Sequence, residues 1–236
     1  MGLKADLNGG SRTQADEAYE AIRAEILRNG LAPGEQVTEA QLGGRFGFGR
    51  AAVRAALIRL CHEELVQVIP RHGYAIAPIT FTHVQDLFGL RLVVEPAVAR
   101  LTADRADSRL VAELELLNEG CRHLPGEELD LAEQRRANKA FHGAIARASG
   151  NQRLARLATE GLEELDRVLY LPQLSTVWER TDASFAEHQR IVEAIRLRDG
   201  RSAEQAAYDH IVPNQRSVID ALIASPGLRF INLLSV

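Results

Sequence analysis

The sequence is short of cysteine, of long apolar runs and of charge of one sign. Its two cysteines, Cys61 and Cys121, lie far apart in apparent helices, which argues against disulfides and for reduced thiols in a cytoplasmic protein. No apolar stretch approaches a membrane span, and the opening MGLKADLNGGSRTQ lacks the apolar middle of a signal peptide, so neither a membrane protein nor an exported one is expected. A net charge of −4 does not advertise nucleic-acid binding. From Phe81 onward no strand pattern is found.

What is present is ordinary in bulk and uneven in detail. The 236 residues suffice for two modest domains, and 46% hydrophobic with 25% charged residues is typical of a globular chain. Residues 1–79 balance Lys and Arg against Asp and Glu, so the residual negative charge lies behind them. Within residues 45–71, however, Arg45, Arg50, Arg54, Arg59 and Arg71 face only Glu63 and Glu64, a local basic surface of the kind phosphate contact needs.

Taken in order, residues 1–11 are polar and Gly-rich and read as a tail without fixed structure. Ala18, Ile22, Ile26 and Leu27 make one face of a first helix over Ala15–Asn29, which Gly30 stops before the turn Leu31-Ala-Pro-Gly34. Thr38 reads as the N-cap of a short helix, Glu39 to Phe46, and Gly47-Phe48-Gly49 leads into a further helix from Gly49 to about Glu64. There Val53, Ala56, Leu57 and Leu60 form an apolar stripe, while Arg50 and Arg54 fall on the other side with the small Ala51 and Ala55. Such a helix can enter a major groove, where Arg forks onto guanine; the plainer alternative is an amphipathic helix with solvated arginines. Leu65-Val-Gln-Val-Ile69 and Tyr74-Ala-Ile-Ala-Pro78 then read as two strands around the turn Pro70-Arg-His-Gly73. Three helices and a β-hairpin make a winged helix-turn-helix over residues 12–79. Arg71, His72 and Gly73 sit at the wing tip, offering a cation and an unencumbered backbone to a minor groove.

Residues 80–226 show helical periodicity in six stretches, about 81–104, 107–122, 127–149, 151–171, 176–199 and 201–224, with short breaks between them. The reading is an all-α six-helix antiparallel bundle, with Pro213 kinking the last helix and an unusually apolar tail from Leu228 to Val236. The fold class is therefore mostly α.

At this point the chain resembles the GntR family of bacterial transcription regulators, specifically the FadR-type branch with an all-helical FCD ligand domain. The resemblance covers roughly residues 15–224. It rests on LAPGEQVTEAQLGGRFGFGRAAVRAAL, the wing RHGYAIAP, LRLVVEP, ANKAFHGAIARASGN, EHQRIVEAI and AAYDHI. Family members usually read Ser-Arg-Thr-Pro-Val-Arg where this chain reads Gly49-Arg-Ala-Ala-Val-Arg54, so both arginines remain and the hydroxyls do not. The resemblance implies DNA contacts by Arg50 and Arg54, and a homodimer whose two heads read half-sites of a near-palindromic double-stranded operator.

In the bundle, His142, His188 and His210 lie on three different predicted helices, and Asn138 sits one turn before His142 on the same face. Three imidazoles and one oxygen suit a divalent transition ion of the Zn, Ni or Mn class. The resemblance implies such a site too, usually with one aspartate where this chain has Asn138, a neutral and poorer ligand. Each histidine alone would read as a hydrogen-bonded core residue. His62, His83 and His123 share no such pattern and read as surface residues.

An open coordination position would suit a small organic-acid effector. Arg91 could pair with that anion, or be neutralised instead by Glu95 one turn later; Tyr170 and Trp178 read as core. The leading function is a DNA-binding regulator, a repressor, released or tightened by that metabolite. Two alternatives are a metal-dependent hydrolase and a regulator sensing a metal-free acyl ligand. The hydrolase is disfavoured because Glu187, adjoining His188, should point to another face of its helix, leaving no general base.

Overall fold

A computed structural model describes residues 12–122, 130–171, 174 and 181–224. The chain divides into two compact units after Pro78.

The first unit opens with α1 (Gln14–Leu27), capped reciprocally by Thr13 and Asp16. Strand β1 (Gln36–Val37) precedes α2 (Glu39–Phe46), which begins in the capping box Thr38–Gln41 and ends at Gly47 with φ +77°. Helix α3 (Arg50–His62) follows from Gly49, an N-cap without a side chain to offer. Strands β2 (Val66–Ile69) and β3 (Gly73–Ile76) complete an antiparallel sheet in the order β1-β3-β2, with Val66 opposite Ile76 and Ile69 opposite Gly73. The predicted stripe of Val53, Ala56, Leu57 and Leu60 is fully buried against Ile22, Ile26 and Leu42. Both predicted helices run shorter than expected because Asn29 and Glu64 take positive φ and break the helical backbone.

Strand β1 went unread in the sequence because two residues carry no alternation. It changes the meaning of Gly73: a Cβ there would lie 2.9 Å from the Val37 carbonyl oxygen, and φ is +94°. Glycine is required by the third strand and not only by an open wing tip. The turn itself is Pro70-Arg71-His72, with the His72 N–H donating to the Ile69 carbonyl at 3.0 Å and Arg71 at φ +68°. Proline at the first corner and positive φ at the second form a type II pattern, and an arginine there carries backbone strain that glycine would not.

The second unit contains six helices among the described residues: α4 (Phe81–Arg105), α5 (Ser108–Glu119), α6 (Leu131–Ala148), α7 (Gln152–Leu169), α8 (Thr181–Arg196) and α9 (Gly200–Ala224). Helix α4 is the inner one, packing on α6, α7, α8 and α9, which is why polar residues along it are buried. Two apolar clusters fill the unit. One surrounds Val98, Leu114, Phe141, Ile145, Ile191 and Ile195; the other surrounds Phe88, Leu165, Val168, Ile211 and Val218. Helix α9 continues through Pro213. Trp178, His123 and the tail from Leu228 lie outside the described residues. No helix of the described residues is long and apolar enough to cross a membrane. Burial pushes the Cys121 thiol up to about 12, so it stays protonated.

Candidate functional site

On the first unit, Arg50, Ala51 and Arg54 are exposed on α3 opposite its buried stripe. Three of the five arginines of the basic window do not stand free, however. Arg54 forks onto Glu39 through Nε at 2.7 Å and Nη2 at 2.9 Å, holding that carboxyl below its usual range. Arg45 pairs with Glu25 at 2.5 Å and donates to the Gly30 carbonyl; Arg59 pairs with Asp16 at 2.8 Å over the Tyr19 ring. Glu63, counted against the window, is taken by Arg23 and by the Tyr19 hydroxyl. The window's positive excess is thus partly cancelled by acids from α1 and α2 that a local count leaves out. Arg50 and Arg71 form no ion pair among the described residues, and His72 is exposed beside Arg71.

In the second unit, α6, α8 and α9 bring His142, His188 and His210 together, with one nitrogen from each within 4.8 Å of the others. All three are buried. Each ring has an outer partner on Nδ1: Glu95 of α4 lies 3.4 Å from His142, the Asn118 amide oxygen of α5 is 3.1 Å from His188, and Glu187 of α8 is 2.9 Å from His210. The Nε2 atoms of His142 and His188 are buried and have no hydrogen bond. Burial, then the charges of His188, His210 and Arg91, pushes His142 well below its ordinary pKa; burial and then His210 do the same to His188. His142 and His188 thus offer neutral imidazoles with a tethered Nδ1 and an unbonded Nε2, and His210 adds a third ring held by Glu187, a set that fits a divalent ion. Phe141 stacks on His188 at 4.2 Å between ring centres and fixes its plane.

A cavity of about 20 Å³ adjoins the cluster, lined by Glu95, His142 and His210 among Val98, Ile145 and Leu162. That is room for one water or ion and not for an organic acid. Arg91 is 2% exposed and donates through Nε to Glu95 at 2.5 Å, while its Nη1 has no hydrogen bond. Asn138 is half-buried on α6 one turn before His142.

Residues 14–76 match the bacterial regulatory protein gntR family, and residues 86–212 match the FCD domain. The chain belongs to the GntR family. This regulator is 31% identical, over 92% of its length and 87% of the relative's, to an HTH-type transcriptional regulator in an unstable DNA locus of Streptomyces ambofaciens. It is 27% identical to the HTH-type transcriptional repressor GlaR of Escherichia coli, covering 83% of this chain and 91% of that one. The E. coli McbR/YncC structure shares its fold, with a TM-score of 0.71 over 89% of this chain and 99% of that one at 18% identity. The GntR regulator is therefore a DNA-binding transcription factor and not an enzyme.

One inference from the regulator's sequence is corrected. Glu187 does not point away from the histidines: it is buried and bonded to His210. Helix α8 packs on α4, α5 and α9, so adjacent residues both face inward. Asn118 was missed although its position carried a signal, a lone amide following Leu110 and Leu114 at helical spacing. Glu95, weighed only as a partner for Arg91, serves both Arg91 and His142. Tyr170 is half-buried beneath the Arg135 guanidinium at 4.0 Å and does not line the cavity. His62 is exposed; His83 is half-buried, 3.6 Å from Glu164.

Proposed function

We propose that this GntR regulator is a homodimeric repressor whose head, residues 12–79, binds a near-palindromic operator, and whose helical domain, residues 80–226, senses a small organic acid beside a divalent metal. The observation that carries the sensing half is the histidine cluster itself: the Nε2 atoms of His142 and His188 without a hydrogen bond, and the three Nδ1 atoms held by Glu95, Asn118 and Glu187. His142, His188 and His210 would supply three imidazole nitrogens and Asn138 a neutral amide oxygen. An ion of the Zn, Ni or Mn class would supply a Lewis-acidic position for a carboxylate. Arg91 keeps a buried Nη1 for the same anion while Glu95 occupies its Nε.

The tightness of the cavity bears on regulation. A carboxylate larger than a water must move side chains to enter, so it stabilises a different arrangement of the bundle, and that difference is what linkage to operator affinity requires. For the head, Arg50 and Arg54 would contact bases or phosphates from α3, Arg45 the flanking backbone, and Arg71, His72 and Gly73 the minor groove. The name of the E. coli relative supports repression.

The deciding experiment is selection of genomic fragments by the purified full chain at low ionic strength. The recovered operator is then titrated with small carboxylates, with and without chelator. Capture of a two-fold site whose occupancy a carboxylate changes only in metal-loaded protein is expected. Failure to retain any fragment would remove the operator reading, and indifference to chelator would remove the metal.

A further inference from the structure

We infer that Asn118 is the positioning residue that holds His188 in the Nδ1–H tautomer and so turns its Nε2 lone pair toward the centre of the histidine cluster. Asn118 is 3% exposed, and both of its amide atoms are engaged. Its Nδ2 donates to the Phe185 carbonyl at 3.2 Å, and its Oδ1 lies 3.1 Å from His188 Nδ1. A carbonyl oxygen can only accept, so the amide nitrogen must face Phe185 and the amide oxygen must face the ring. Rotating the amide by half a turn would set oxygen against oxygen. An acceptor opposite Nδ1 requires the proton on Nδ1, which leaves Nε2 as the bare nitrogen, and Nε2 is the atom left buried without a hydrogen bond.

The three outer partners are chemically unequal, and this gives Asn118 its consequence. His142 and His210 lean on the carboxylates Glu95 and Glu187; His188 leans on a neutral amide. A carboxylate raises the basicity of the imidazole it holds, whereas an amide orients the ring without doing so. His188 is accordingly the one donor of the three with no carboxylate behind it, kept in place by Phe141 on its face and Asn118 at its edge. The tautomer stands on these hydrogen bonds alone; its effect on affinity rests on the metal reading above.

The test uses the full chain labelled with ¹⁵N-histidine. In metal-free protein, long-range ¹H–¹⁵N spectra should show His188 with a pyrrole-type Nδ1 and a pyridine-type Nε2. Asn118→Leu, close in volume but without an acceptor, should lose that preference, and Asn118→Asp should restore it. In chelator competition with Zn²⁺, Asn118→Leu should weaken binding about 10- to 100-fold, while Asn118→Asp should tighten it beyond the parent. An Nε2–H tautomer in the parent, or an Asn118→Leu spectrum unchanged from it, overturns the proposal. If Asn118→Leu fails to fold, the parent and Asn118→Asp spectra decide alone. A tautomer that moves as expected in a protein binding no Zn²⁺ sustains Asn118 and removes the metal.

Discussion

Arg91 and Glu95 offer a measurement that separates a structural pair from an idle anion receptor. The two side chains are 2% and 8% exposed, one helical turn apart on α4, with Nε and Oε1 at 2.5 Å and the second carboxylate oxygen 3.4 Å from His142 Nδ1. Removing Arg91 leaves a carboxylate out of water with only an imidazole beside it. Breaking one side of such a pair costs about 3–5 kcal/mol, most of it the uncompensated charge. Arg91→Met, which keeps the buried stem, is therefore expected to lower the melting temperature of the helical unit by roughly 6–20 °C, at about 2–4 °C per kcal/mol for a unit of this size. Glu95→Gln should cost a similar amount by stranding the guanidinium. The double variant should recover most of both losses, because an apolar side chain against an amide leaves no bare charge, and the coupling should reach at least about 2 kcal/mol. Thermal and urea unfolding of the four proteins completes the cycle. A loss below about 1 kcal/mol in Arg91→Met, or a double variant equal to the sum of the singles, would refute the reasoning and leave Arg91 as a residue kept for a ligand.

Further outcomes are expected elsewhere. Arg54→Ala should weaken operator binding about 10- to 100-fold in gel shifts, the range of one lost bidentate base contact, with an unchanged melt; unaltered affinity would remove Arg54 from the interface. Glu39→Ala frees the Arg54 fork and removes a negative charge beside the phosphates, so it should raise affinity and steepen its salt dependence. Gly73→Ala would press a methyl group on the Val37 carbonyl and should destabilise the head, seen as an earlier melt. Burial, opposed by Lys139 and Arg135, raises Asp166 from 3.8 to about 6. Its folded state thus holds a proton more tightly than the unfolded one, and the resulting stability is lost as pH rises from about 4 through 6. Asp166→Asn should therefore raise the melting temperature at pH 7.5 and change it little near pH 4; equal effects at both would contradict the assignment.

The head was legible because its signals are local. Thr38 as an N-cap, the connection Gly47-Phe48-Gly49, the turn from Pro70 and the stripe Val53–Leu60 each fix an element from within a few residues. What escaped is pairwise and distant. The partners of Arg45, Arg54 and Arg59 are Glu25, Glu39 and Asp16, all lying upstream of the counted window, so a charge count overstated the basic surface. Strand β1 exists only because β3 offers it an edge.

The same distinction governs the histidine cluster. His142, His188 and His210 could be gathered from the sequence because each falls among the inward-facing apolar residues of its helix, a placement that needs a partner or an ion. Their outer partners could not, since a period of 3.6 residues assigns one inward face per helix and assumes a single neighbour. Helices α4 and α8 each meet several neighbours and have more than one inward face. On α8, Glu187 and His188 are therefore both buried and serve different helices, one holding His210 of α9 and the other held by Asn118 of α5. On α4, Arg91 and Glu95 fall on one face, and the carboxylate is shared between a guanidinium and an imidazole. A buried carboxylate needs every available donor, so in a helix surrounded by others, an acid adjoining a buried histidine is better read as a partner for a second histidine than as a solvated neighbour of the first.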